Sequence, residues 1–394
     1  MLPVKYNVRN LRARFTSTLL TVFSTGLVVF ASCWLFGLVA GLDYSMQVSG
    51  EPLDLIVVRK GSTGETDGGF QADQADELMT IPGVAVAAAG AVPDVVPEGT
   101  RLIARELLHV PLMTRRDGTR TNLMIRGIET ASPALRPDFR LVAGRMFVPG
   151  RGECIVSEPI SRRFTGARLG ELLRVSEKEA YRVVGLFTAG ASAAESEVWL
   201  DRKDLERNVA REGSVSSVQI RASSPAALTD IQRRIDGEAR FNLKAMPEAE
   251  VYQQQNSASV FLKVSGYLIA VLLTIGAMFA AANTMFAAVT SRTREIGTMR
   301  ALGFSRGSIL VSFLLESVLL CGLGGLLGLL ATLPLHSMTF STMNNFTESA
   351  FRFRFNWQVM TVAFAMTLAM GVFGGMFPAI RAVRLDVIRS LREM

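Results

Sequence analysis

Residues 291–307 read SRTREIGTMRALGFSRG, five charges and three glycines set between two long apolar runs. The run before it, Val264–Ser291, has no charged residue, and the run after it, Gly307–Pro334, has one, Glu316. Each exceeds the roughly 20 apolar residues that cross a bilayer as a helix. A polar connector this short between two spans is a tight turn at the membrane surface, and it fixes the protein as an α-helical membrane protein. Over 292–304 a helix places Ile296, Met299 and Gly303 on one side with Leu302 at its margin, while Arg294, Thr298 and Arg300 point elsewhere.

Two further runs, Phe15–Leu42 and Phe355–Ile380, are also long enough to span and contain no charge. Four transmembrane helices agree with an apolar fraction of 49% and a mean hydropathy of +0.30. FASC at 30–33 resembles a lipoprotein cleavage box, but the apolar run continues well past Cys33, farther than a signal core of about 7–15 residues. The first run is therefore a span.

The net charge of +7 comes largely from arginines at the ends of apolar runs, with no aromatic-interleaved basic patch, so nucleic acid is not an expected partner. Cys33, Cys154 and Cys321 have no zinc spacing and two of them lie in apolar runs; His109 and His336 are isolated. No metal or catalytic constellation is expected. GSTGETDGG at 61–69 reads as a flexible loop, and because no Gly-Lys dipeptide occurs anywhere, a P-loop is excluded.

Cations flank the runs at three places: Lys5, Arg9, Arg12 and Arg14; Arg292, Arg294, Arg300 and Arg306; and Arg381, Arg384, Arg389 and Arg392. With four spans these fall on one side, which the positive-inside rule makes cytoplasmic; Arg352 and Arg354 in the outer loop are a blemish on that rule. Residues 43–257 then form a large extracytoplasmic α+β domain. Strands are expected at LDLIVV 53–58, NLMIRGI 122–128, ECIVS 153–157, ELLRV 171–175, YRVVGLF 181–187, EVWL 197–200 and SVQIRA 217–222, with helices over 71–81 and 225–239.

The order R-x-R-E-I-G-x-x-R-A-L-G from Arg292 to Gly303, followed by a membrane Glu and a glycine-rich span, resembles the characteristic segment of FtsX-like ABC permeases of the MacB type. NVRNLRARFTSTLLTVFS, GARLGELLRV, YRVVGLFTAG and FPAIRAVRLDVIRSLRE extend the resemblance over the chain, with Val387 where the family often has Pro. The resemblance implies this layout: a basic segment 1–14, span one 15–42, the domain 43–257 split into porter-like parts (43–100, 195–257) and a β-rich insertion (101–194), a stalk with span two 258–291, a coupling helix 292–306, span three 307–334, an outer loop 335–354, span four 355–380 and a tail 381–394. Spans one and two are expected to extend outward as a stalk.

It also implies that the connector docks on two copies of a cytoplasmic ABC ATPase that bind the ATP and Mg, this chain itself binding no cofactor. A second permease copy, identical or related, completes the assembly in the bilayer, and some arrangements add a periplasmic adaptor. The docking set is Arg292, Arg294, Glu295, Ile296, Gly297, Met299, Arg300, Ala301, Leu302 and Gly303: arginines and Glu295 for charge-assisted bonds, Ile296, Met299 and Leu302 as an apolar anchor, glycines for close approach or helix termination. Glu316 in the membrane must be paired, hydrated or protonated: it is read as structural, bonded to a neighbouring helix or to the connector's arginines, with proton coupling or substrate contact as the alternative; Asn283 is read as helix-to-helix glue. Gly37/Gly41, Gly324/Gly328 and Gly371/Gly375 are small-xxx-small pairs, with span one or two expected at the dimer seam, and Pro378 is expected to kink or end span four. The function expected is ATP-driven export or extraction of a substrate; the alternative is a mechanotransmitter that transports nothing and works an envelope hydrolase or a sensor.

Overall fold

The computed structural model describes residues 15–384 except 63, 137, 177, 178, 239, 241, 256, 337, 345 and 346. The basic segment before residue 15 and the tail after 384, with Val387, Arg389 and Arg392, lie outside the described residues. In chain order the elements are α1 (Phe15–Ser49), β1 (Asp54–Arg59), β2 (Phe70–Gln71), α2 (Ala72–Leu78), β3 (Ile103–His109), β4 (Leu112–Thr114), β5 (Arg120–Asn122), β6 (Met124–Ile128), β7 (Phe139–Gly144), β8 (Glu153–Ser157), α3 (Glu158–Arg163), β9 (Leu172–Arg174) and β10 (Ala180–Ala189). There follow β11 (Glu197–Asp201), α4 (Arg202–Asn208), β12 (Ser214–Val215), β13 (Ser217–Arg221), α5 (Pro225–Gly237), β14 (Leu243–Pro247), α6 (Glu248–Gln255), α7 (Ser257–Ser291), α8 (Thr293–Ala301), α9 (Arg306–Thr332), β15 (Thr339–Asn344), β16 (Thr347–Arg352) and α10 (Trp357–Val383).

Among the described residues two compact units result, a helical one (within 15–40, 260–338 and 353–384) and an α+β one (within 41–259 and 339–352). Four helices, α1, α7, α9 and α10, are long and apolar enough to cross a membrane. Both α1 and α7 run for 35 residues, about 52 Å at 1.5 Å per residue, longer than a hydrocarbon core of about 30 Å.

Inside the helical unit, small residues let helices meet at backbone distance. A Cβ at Gly324 of α9 would lie 2.6 Å from the Val22 carbonyl of α1, and one at Gly328 would lie 2.9 Å from the Phe30 amide. A Cβ at Gly371 of α10 would stand 2.8 Å from the Val318 Cα of α9. All of these contacts lie within one chain, so neither the Gly324/Gly328 pair nor Gly371 marks a dimer seam. Buried Val29, Cys33, Ala277, Cys321, Ala363 and Met370 fill the middle of the bundle. Pro378 does not end α10, which continues to Val383.

In the α+β unit the strand order is β14-β1-β13-β3-β6-β11-β8-β10-β7, with β9 on β10. The first four strands pair antiparallel throughout. With α2 between β1 and β3 and α5 between β13 and β14, they form a split β-α-β arrangement of ferredoxin-like order. Its core joins Leu55, Val57, Leu78, Val218, Ile231 and Ile235. Everything from β4 to β12 is inserted between β3 and β13, and its strands include two parallel pairs, β6–β11 and β8–β10.

Pairing thus places β3, expected in the insertion, on the first layer, and β11, expected in the porter-like part, between β6 and β8. The division that the resemblance implies, near 100/101 and 194/195, therefore falls before both edges of the insertion as strand pairing draws them. The strands and helices expected by periodicity are all present; β2–β5, β7, β12, β14, the β15–β16 hairpin and the short helices α3, α4 and α6 are additional. That hairpin belongs to the α+β unit, where Arg352 stands 3.7 Å from Glu195, giving one of the outer-loop arginines a local counter-charge.

Candidate functional site

The connector forms α8, held on three sides by its own bundle. Ile296 is fully buried among Met285, Val289, Ile309, Phe313 and Ala379, with Met299 packed at the edge. The Arg292 Nη1 donates to Glu316 Oε2 at 3.1 Å, both side chains more than nine-tenths buried. Arg300 Nη1 donates to the Val383 carbonyl at 3.3 Å, in the turn of α10 that Pro378 fails to end. Together these contacts tie α8 to α7, α9 and α10.

The end of α8 is a Schellman motif. Gly303, at φ +90°, donates to the Arg300 carbonyl (3.1 Å), and the Phe304 amide donates to the Met299 carbonyl (3.1 Å). Ser305 then caps α9, its hydroxyl accepting from the Ser308 amide at 3.2 Å. Glycine suits Gly303 because side chains rarely adopt that φ. The sharp reversal leaves Leu302 75% and Phe304 37% exposed.

Of the expected docking residues, Arg294, Glu295, Ala301, Leu302 and Gly303 are exposed, Met299 and Arg300 are half-buried, and Arg292, Ile296 and Gly297 are buried. The helical phase of Ile296 and Met299 was legible, but their apolar side faces the protein's own bundle, so Ile296 does not supply an anchor to a partner. That property passes to Leu302 and to Phe304, which sequence reasoning missed because Phe304 lies beyond the helix end, where wheel geometry no longer applies. Its signal was the Leu-Gly-Phe-Ser order, a glycine stop followed by an N-cap serine. Within this single chain Asn283 is exposed on α7; beside it the Thr21 hydroxyl of α1 donates to Thr284 at 3.0 Å. The reason is phase: one residue of rotation, about 100°, turns Thr284 inward and Asn283 out.

The α+β unit has a separate concentration of buried charge around Arg126 of β6. Its guanidinium donates to Glu197 (2.7 and 2.8 Å), Glu106 (2.7 Å) and Glu65 (3.0 and 3.2 Å). Arg136 shares Glu106 at 2.7 Å, and Ser217 donates to Glu65 at 2.6 Å. Burial works against an ionised Glu65, but the Arg126 charge and hydrogen bonds outweigh it and hold that carboxyl below its usual range. Because Glu65 belongs to the 61–69 loop, that loop is pinned at this residue, contrary to its reading as a flexible segment: glycine content does not reveal a buried partner.

Glu248, at the start of α6, is buried with one oxygen accepting from the Glu51 amide at 3.1 Å. Burial is the main cause that pushes its carboxyl up to about 8 from an ordinary 4.5, with Arg136 opposing and Asp54 adding to the rise. A carboxyl raised on folding adds stability that is fully present below pH 4.5 and lost as pH rises through about 8. Glu248→Gln is therefore expected to unfold at a higher temperature than wild type at pH 9 and at the same temperature below pH 4.5, as thermal melts across pH can check. Equal midpoints at pH 9 would contradict the assignment.

The FtsX-like permease C-terminal family matches residues 267–387, and the MacB-like periplasmic core domain family matches residues 18–238, more than half of the chain. The chain belongs to the MacB/FtsX-type permease family. It is 28% identical over 289 residues to the macrolide export ATP-binding/permease protein MacB of Bordetella avium, covering 68% of this chain and 43% of that protein. The MacB of Agrobacterium fabrum is 32% identical over 168 residues, 42% of this chain and 24% of that protein. The chain thus spans less than half the length of these relatives. The crystal structure of the periplasmic region of MacB from Actinobacillus actinomycetemcomitans aligns with a TM-score of 0.37 at 10% identity, over 55% of this chain and 98% of that one. In this permease family, then, the chain supplies four membrane helices and an α+β periplasmic-type domain between the first two.

Proposed function

We propose that this chain is the permease subunit of an ABC transporter in a bacterial inner membrane, with the connector and both termini cytoplasmic. ATP and Mg are bound by two ABC ATPase subunits, and α8 receives their motion. The observation that carries the reading is the two-sided construction of α8. One side is locked to the bundle through Ile296, Arg292–Glu316 and Arg300, while the other presents Leu302 and Phe304 beside the exposed Arg294 and Glu295. An apolar pair rimmed by charges is the composition of a small docking hot spot. Rigid attachment behind it converts a push on α8 into displacement of α1, α7, α9 and α10, and the length of α1 and α7 carries that displacement outward. The stroke drives export or extraction of a substrate, and a second permease copy packs in the bilayer against α7, whose outward row includes Leu268, Leu272 and Phe279.

The test is co-purification with the cognate ATPase. Leu302→Asp leaves the bundle intact, because the residue is exposed, and is expected to weaken the complex at least tenfold; Arg294→Glu weakens it less, about threefold, as expected of an exposed charge. Undiminished recovery of the ATPase with Leu302→Asp would defeat the docking assignment. Ile296→Asp does not test it, since a carboxylate there enters the bundle core.

A further inference from the structure

A cavity of about 670 Å³ opens in the α+β unit where the ferredoxin-like layer meets the insertion. Its lining combines apolar Met79, Ile103, Ile128 and Phe147 with the cations Arg101, Arg105, Arg202 and Lys203 and the carboxylates Glu129 and Asp201. That volume lies within the range of sites for small organic ligands.

The charges around the cavity balance in number once Asp76 and Glu206 are counted, but they are paired unevenly. Arg105 and Arg202 share Glu129 at 2.9 and 3.0 Å and take further partners in Asp76 and Glu206. Asp201 is committed to capping α4, accepting from the Asp204 amide at 3.0 Å. Arg101 donates only to the backbone carbonyls of Met79 and Ile81, and Lys203 is exposed; among the described residues neither forms an ion pair. Two cations of the lining, Arg101 and Lys203, are thus without a carboxylate partner among the described residues.

We propose that this cavity is a binding site for a small amphipathic anion, its apolar body against Ile103, Ile128 and Phe147 and its anionic head between Arg101 and Lys203. The pocket stands on the α+β unit alone, so it goes beyond the docking of an ATPase and is tested without one. A carboxylate, sulfonate or phosphate head suits the same two cations, because each accepts hydrogen bonds from a guanidinium and an ammonium.

The experiment is calorimetric titration of the full chain in nanodiscs with naphthalene-2-sulfonate and its neutral isostere naphthalene-2-sulfonamide, with empty nanodiscs as the blank. Saturable binding of the sulfonate is expected, at least fivefold tighter than the sulfonamide at low salt. Lys203→Gln should weaken the sulfonate about threefold and leave the sulfonamide unchanged, and Thr130→Trp, at an exposed position on the lining, should abolish both by filling the chamber. Unchanged thermal midpoints for the variants confirm that folding is not the cause. Absence of binding above the blank, equal affinity for the two probes, or binding that survives Thr130→Trp would each overturn the proposal.

Discussion

Arg126→Met is expected to unfold the α+β unit or to cost it at least about 5 kcal/mol. The substitution removes the cation that three buried carboxylates share, Glu65, Glu106 and Glu197, and leaves Arg136 to serve only Glu106. Removing one partner of a single buried pair costs about 3–5 kcal/mol, and whole domains are stable by about 5–15 kcal/mol. Arg126 also joins β3, β6, β11 and the 61–69 loop, so both layers lose their common fastening. Chemical denaturation of the full chain, read from the fluorescence of Trp199, whose indole donates to Glu197 at 2.7 Å, measures the loss. Arg126→Lys keeps the charge but not the fork of donors, and should cost about half as much or less. A native midpoint for Arg126→Met would show that the cluster is not what holds the two layers.

Glu316→Ala is the second large effect, expected to cost the helical unit about 3–5 kcal/mol by leaving Arg292 buried without a counter-charge. Arg292→Met together with Glu316→Met should recover most of that loss, since neither charge then needs a partner. Thermal unfolding in nanodiscs distinguishes the two. Glu316→Gln retains an oxygen that can accept from Arg292, so it is expected to keep substantial transport activity. Complete loss of transport by Glu316→Gln with normal assembly would give the carboxylate a role beyond holding α8.

The sequence made the spans legible because twenty or more uncharged residues have few alternatives, and it made β10 and α5 legible because their periodicity matches one buried face, whereas β1 and β8 stood out as short apolar runs buried on both faces. It also pointed from Glu316 to the connector's arginines as partners. Three things were hidden for physical reasons. Layer membership of β3 and β11 depends on which strands pair, a long-range fact that no local pattern encodes. The burial of Glu65 depends on Arg126, sixty-one residues away in sequence. The direction of the apolar side of α8 depends on what lies next to it: a helical wheel identifies Ile296 and Met299 as one face but is silent on whether that face meets the protein's own bundle or a partner.

The motif R-x-R-E-I-G-x-x-R-A-L-G lies within the FtsX-like permease C-terminal match, yet the motif alone assigns all its residues to one task. Geometry divides them. Arg292, Ile296, Gly297 and Arg300 hold α8 to its own chain, while Arg294, Glu295, Ala301 and Leu302 face outward with Phe304 just beyond. A helix so divided can transmit force, because the surface that receives it and the surface that passes it on are different residues.

The most direct measurement of that division is site-specific photo-crosslinking in the assembled membrane complex, with p-benzoylphenylalanine at 302, at 304 and, as an inward-facing control, at 299. A crosslinked product identified by mass spectrometry as this chain joined to its ABC ATPase is expected from 302 and 304, with none or far less from 299. No ATPase adduct from 302 or 304, in a complex whose assembly is otherwise intact, would contradict the claim that α8 is where the ATPase takes hold.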